Sequence, residues 1–258
     1  MRFDDLIDRI LTYLKDLSLC LGRITVIPAP RETAADRPPA RSQWAYPVIG
    51  AFLGAVGGVV YAIALGLGLT PLLAAVLAIA CLLGITGAMH ESAFAGMMDR
   101  LAELFGRSGS NAYETSGGMG IAGVLTIILA LGARVGALAA IGDAVNVAAA
   151  LVAALALSLS AVVVVGYSSP SDLDDEFSDL SDRPGTGVVL VSAVFAIVLS
   201  LLALPFGAGA AIIGACLCGA GMSYAAWRQL DLDSGQLVVA AQPITEIVVL
   251  LILAASVT

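Results

Sequence analysis

Across residues 1–22, Phe3, Leu6, Ile7, Ile10, Leu11, Leu14, Leu17 and Leu21 recur at helical spacing, with Asp4, Asp5, Asp8, Arg9, Lys15 and Asp16 largely on the opposite side. This pattern predicts an amphipathic helix that lies on a membrane or packs over a bundle. Pro28, Pro30, Pro38 and Pro39, with Arg31, Arg37 and Arg41 close by, then predict an extended cationic connector. Beyond it the alternation stops. No charged residue occurs from Tyr46 to Met89, and Thr70-Pro71 is the one clear interruption, with proline suited to the first turn of a new helix. The prediction is a helical hairpin of roughly 46–69 and 71–89. Residues 117–166 repeat it around a turn at Gly142-Asp143, residues 187–226 do so again around Pro205-Phe206-Gly207, and a last span covers about 237–256. The expected fold is all-α, a polytopic helical membrane protein of about seven spans with an N-terminal amphipathic helix.

Composition agrees. Of 258 residues, 59% are apolar and 12% are charged, against about 45–50% and about 25% in soluble domains. Seven spans of about 20 residues take up more than half of the chain. One membrane domain, 1–258, is therefore expected: helix and connector over 1–45, bundle over 46–256. Sparse charge excludes a disordered chain, and four cysteines exclude a disulfide scaffold. Cys81, Cys216 and Cys218 lie in apolar runs and Cys20 ends the amphipathic segment, so they read as buried small hydrophobes. Acids within the first twenty residues argue against a secretion signal.

The net charge of -8 matters less than where the basic residues fall. Seven precede the first span; Arg100 and Arg107 follow the first hairpin, Arg183 the second and Arg228 the third. The positive-inside rule then places the N-terminus and the three long polar loops in the cytoplasm, with chemistry expected on that face of the cytoplasmic membrane.

Within the spans, Gly50, Gly54 and Gly58 present a face without side chains, which reads first as close helix packing. Pro243 should kink the last span and free a backbone carbonyl. Arg134 and Glu246 are charges at membrane depth, where polar groups pair or face a cavity. A structural ion pair is the first reading, ahead of a substrate contact; near the outer end Arg134 could instead snorkel.

The loop at 90–116 is the densest in chemistry and holds the only histidine. Asp99 and Glu103 share a helix face, with Glu91 about two turns away. Glu91, Asp99 and Glu103 are candidate Mg2+ ligands, since that ion takes a few carboxylates plus substrate phosphate; a solvated helix face is the competing reading. The six acids between Asp172 and Asp182 read as a self-repelling loop. No P-loop, G-x-S-x-G or zinc spacing occurs, so soluble-type nucleotide hydrolysis, zinc chemistry and nucleic-acid binding find no support.

Several segments resemble one family. Arg23-Ile24-Thr25-Val26-Ile27-Pro28 resembles the T-R-I-P-V-P segment of cobalamin synthases, the adenosylcobinamide-GDP ribazoletransferases. Tyr46-Pro47-Val48-Ile49-Gly50 is similar to that family's opening of the first span, Thr86-Gly87-Ala88-Met89-His90-Glu91 to its T-G-x-x-H stretch, and Gly235 with Ala240-Ala241-Gln242 and Glu246-Ile247 to its C-terminal G-D-x-L-G-A-x-Q segment. The likeness runs in order over essentially the whole chain. The family's H-x-D-G-x-x-D-x-x-D-G motif is met here by His90, Ser92, Ala93, Gly96, Asp99 and Arg100, so His90 and the last aspartate remain. Its D-S-R-x-G-T segment is represented by Ser110 to Thr115, and the aspartate of the final G-D by Gln236.

The resemblance implies a membrane transferase that joins alpha-ribazole or its 5'-phosphate to adenosylcobinamide-GDP and releases GMP, with Mg2+ as cofactor. Its implied partners are corrinoid and nucleoside substrates at the cytoplasmic face and the bilayer, with room for a homo-oligomer. It further implies catalytic roles for His90 and Asp99 and substrate binding for Glu114, Thr115, Gln236 and Gln242. The absent acids motivate an alternative, a catalytically diverged paralogue that binds a ligand or partner. A transporter is a third class, resting on Arg134, Glu246 and Pro243.

Overall fold

The computed structural model describes residues 3–28, 39–105, 120–169, 183–204, 207–228 and 234–257. Among these residues there is no strand. The amphipathic segment forms α1 (Phe3–Ile24), and a short turn at Pro39–Ser42 and a 3-10 turn at Gln43–Ala45 lead into α2 (Tyr46–Gly66). There follow α3 (Pro71–Thr86), α4 (Met89–Leu104), α5 (Ile121–Ile141), α6 (Ala144–Ser168), α7 (Thr186–Ala203), α8 (Ala208–Trp227) and α9 (Ser234–Val257). Six stretches, α2 and α5 to α9, are long and apolar enough to cross a membrane, and the α3–α4 pair, bent by 89°, makes a seventh if it counts as one span.

Local chemistry sets the ends. Pro71 opens α3 behind Thr70, whose hydroxyl accepts from Leu73 N. At the α5–α6 turn Gly142 takes φ +70° and Asp143 Oδ1 accepts from Val145 N (3.1 Å) and Asn146 N (2.9 Å). The second span ends earlier than its apolar run. Gly87 (φ +64°) and Ala88 (φ +54°) both adopt left-handed backbone, which stops α3 at Thr86 and sends α4 off across the bundle. Ala88 tolerates this conformation at a cost that the packing around it must offset.

The glycine stripe on α2 faces α6. A methyl at Gly50 would run into the Leu155 carbonyl; at Gly54 it would stand 2.5 Å from Leu151 O, and at Gly58 2.5 Å from Ala148 Cβ. Without side chains there, α2 and α6 pack backbone to backbone, the close approach expected of small-residue faces. That contact makes α6 the central post, touching α2, α7, α8 and α9. Its most apolar window is 78% buried and that of α9 is 72%, whereas α7 presents most of its surface outward.

The amphipathic helix docks by its second half. Leu19, Cys20 and Ile24 are buried, Trp44 Nε1 donates to Asp16 Oδ2 at 3.0 Å, and Val26 N donates to Ile85 O at 2.8 Å. Further toward the N-terminus Ile10, Leu11, Tyr13 and Leu14 stay exposed. The second half of the helix thus packs over the bundle, as one of the two expectations has it, and an open apolar face precedes it.

Candidate functional site

The left-handed stop at Gly87-Ala88 turns the chain so that the first turn of α4 points back into the bundle, burying His90 and Glu91. Two further helices bring polar groups to the same depth: α5 carries Arg134, and α9 carries Gln242 and Glu246 one turn apart. Arg134 Nη1 lies 2.5 Å from Glu91 Oε1, and Nη2 lies 3.0 Å from Glu246 Oε2. Gln242 Nε2 donates to Glu246 Oε2 at 2.7 Å and approaches Ser158 Oγ of α6 at 3.5 Å. One guanidinium therefore ties three helices, in surroundings with little solvent to screen the attraction. A cavity of about 30 Å³ adjoins the cluster, walled on its other side by Leu53, Ile79 and Leu82. Arg134 and Glu246 do meet, and Glu91 is the third member.

His90 sits beside this cluster. Pro243 has no N–H, so the Val239 carbonyl one turn back lacks its usual helical partner. The His90 ring is turned toward that carbonyl, although neither ring nitrogen makes a well-formed hydrogen bond. The freed carbonyl expected of Pro243 thus faces a histidine rather than an open cavity.

The far end of α4 is fixed differently. Asp99 Oδ2 accepts from Gly120 N at 2.8 Å and Oδ1 from Gly123 N at 2.7 Å. These N–H groups belong to the first turn of α5, which has no partner within its own helix, so Asp99 caps α5 from a neighbouring helix. A methyl on Gly120 or Gly123 would collide with the carboxylate, which explains two glycines at this spacing. The eight residue steps from Glu91 to Asp99 span about 12 Å of helix. Over that length α4 is fastened to α5 at both ends by carboxylates.

The remaining candidates are dispersed. Glu103 pairs with Arg100 at 2.9 Å on the exposed side of α4, a contact of small energetic weight. Gln236, in the first turn of α9, covers Gly96: a methyl there would stand 3.1 Å from the amide. Gly96 and Gln236 are two positions where the resemblance expects acids, so those positions adjoin in space. Gln242 belongs to the buried cluster instead. Glu114 and Thr115, like the acids from Asp172 to Asp182, lie outside the described residues.

Glu91, Asp99 and Glu103 do not converge. Each is engaged by a different partner, and among the described residues no three His, Cys, Asp or Glu side chains come together as a metal site. The three carboxylates do not fit a shared Mg2+. Sequence reasoning missed Glu91 as the counter-ion of Arg134 and Asp99 as a cap. The available signals were the Gly87 stop immediately before the Glu91 turn and the G-x-x-G spacing that opens α5.

Comparison with known proteins gives a consistent result. The family model described as cobalamin-5-phosphate synthase matches residues 16–254. An adenosylcobinamide-GDP ribazoletransferase of Bradyrhizobium diazoefficiens is 35% identical over 250 residues, 96% of each chain. Those of Mesorhizobium japonicum (31% over 246 residues, 93% of this chain and 92% of that one) and Brucella anthropi (29% over 259 residues, 93% and 96%) are also similar. No solved structure matches.

Proposed function

Since the chain belongs to the cobalamin-5-phosphate synthase family, we propose that it acts as a membrane-embedded adenosylcobinamide-GDP ribazoletransferase. A hydroxyl of alpha-ribazole, or of its 5'-phosphate, attacks the corrinoid-side phosphorus of the diphosphate. The new P–O bond forms as the bond to GMP breaks, and GMP leaves. The observation that carries this reading is the match over nearly the full length of the chain to relatives of that name.

In this reading the substrates meet the protein toward the end of α4, where Asp99 lies against the first turn of α5 and Gly96 against Gln236 of α9. Asp99 shapes the site by holding the first turn of α5. His90 and Glu91, enclosed at the other end of α4, are positioning residues that set how α4 presents this face. Glu91, Asp99 and Glu103 stand apart from one another and do not form a shared Mg2+ site. The same reading puts the N-terminus and the polar loops on the cytoplasmic face of the cytoplasmic membrane, which the arginine distribution supports through the positive-inside rule.

The test is reconstitution in proteoliposomes with adenosylcobinamide-GDP and alpha-ribazole, with and without Mg2+. Equal amounts of GMP and a ribazole-bearing corrinoid are expected. Binding of the corrinoid without GMP release, beside an active relative, would instead establish a diverged binding protein, the reading that the glycine at 96 and the glutamine at 236 favour.

A further inference from the structure

Away from the polar cluster, a groove of about 440 Å³ runs where α1 passes the first half of α7. Its walls are Tyr13 of α1, Trp44 of the 3-10 turn, and Gly187, Val188, Val191 and Phe195 of α7. The three aromatic rings form a row: Tyr13 meets Trp44 edge-on at 5.6 Å, and Trp44 lies 5.7 Å from Phe195. The bond from Trp44 Nε1 to the buried Asp16 carboxylate holds the indole in place and satisfies its one polar atom. What remains toward the groove is apolar. The surface continues along the exposed Ile10, Leu11 and Leu14 of α1 and Val191 of α7.

The surroundings indicate what this groove takes. It sits where the amphipathic helix meets the starts of two spans, α2 and α7, a level at which aromatic side chains gather in membrane proteins. Two cations stand on the elements that bound it. Arg41 is exposed on the turn that touches both α1 and α7. Arg183 is exposed four positions ahead of Gly187; its Nε donates to Tyr167 O at 3.1 Å and its guanidinium lies over the Tyr167 ring at 5.6 Å. A slot of apolar walls with guanidinium groups on the elements that bound it matches a chain of hydrocarbon bearing a negative head. We propose that this groove binds one acyl chain of an anionic phospholipid, with the phosphate of its head group at Arg41 and Arg183.

Trp44 reports on the groove directly, because the chain has only one other tryptophan, Trp227. In the full-length Trp227→Phe protein in dodecyl maltoside, phosphatidylglycerol brominated in its acyl chains is titrated against indole fluorescence. Saturable quenching is expected, approaching one lipid per protein, at a concentration about fivefold below that needed for brominated phosphatidylcholine. Gly187→Leu supplies the control: a methyl at Gly187 meets nothing within 4 Å, so the fold accommodates the side chain while the groove is filled. This variant should lose the saturable phase and keep its melting temperature. Quenching that grows without saturation, saturation untouched by Gly187→Leu, or a lipid-free dimer that shields Trp44 would each overturn the proposal. Equal response to the two lipids, or no change on Arg41→Gln with Arg183→Gln, would overturn the head-group assignment.

Discussion

Arg134 and Glu91 meet 2.5 Å apart across the α4–α5 contact, and the same guanidinium reaches Glu246 of α9 at 3.0 Å. All three are buried. Buried ion pairs return little net stability against an apolar replacement, but removing one partner leaves the others stranded. Their value here is positional: the cluster fixes the short helix after the break, which carries the candidate site at its other end.

Arg134→Met should therefore destabilise the protein by about 3–5 kcal/mol, because two buried carboxylates lose the guanidinium that pairs with both. The neutral triple variant Glu91→Gln, Arg134→Met, Glu246→Gln should regain most of that. Thermal unfolding in detergent measures both. Equal melting temperatures for the single and triple variants would show that charge is not what holds the three helices.

The backbone contact between α2 and α6 makes a second prediction. Gly54→Ala forces a methyl against the Leu151 carbonyl and should cost about 1–3 kcal/mol, as overpacking does. Gly66→Ala, on the same helix with nothing within 4 Å, should be close to neutral. The comparison of the two melting shifts separates packing from any general effect of replacing a helical glycine.

This contact was readable in advance, since glycine at every fourth position leaves one face bare whatever the partner. The turns at Thr70-Pro71 and Gly142-Asp143 were readable for the same kind of reason: capping is local chemistry. The break at Gly87-Ala88 was legible only in part: Gly87 is a helix-stop signal, but an alanine with positive φ leaves no mark in the sequence, and it is the pair that turns α4 away. Spacing along one helix groups Glu91 with Asp99 and does not show which helix each of them meets. Their actual partners, Arg134 and the Gly120 and Gly123 amides, come from a helix whose placement only the folded bundle decides.

Asp99 should act as a cap whether or not it also meets substrate. Asp99→Ala leaves two N–H groups of α5 without acceptors and should cost about 0.5–2 kcal/mol, with Asp99→Asn falling between because it keeps one acceptor oxygen. Hydrogen exchange at residues 120–124 is the direct measurement. Faster exchange there in the alanine variant is expected, and unchanged protection would dismiss the capping role.

Cys20 should respond to pH in a way that tests how α1 is docked. Its thiol is fully buried and donates to Ser42 O at 3.0 Å, and burial pushes it from 9.0 up to about 12. At pH 8 the thiolate fraction is then about one in ten thousand, so N-ethylmaleimide should modify Cys20 slowly in the native protein and rapidly once the fold is lost. The same shift links to stability. Below pH 9 the thiol is protonated in both states and adds no pH dependence; above it, the unfolded chain sheds the proton while the folded one keeps it. Stability is therefore lost as pH rises from 9 toward 12, by about 1.4 kcal/mol per unit. Relative to the wild type, Cys20→Ala should lose less of its melting temperature between pH 8 and pH 10. Rapid native labelling, or parallel pH curves for the two proteins, would mean that the second half of α1 leaves the bundle in solution.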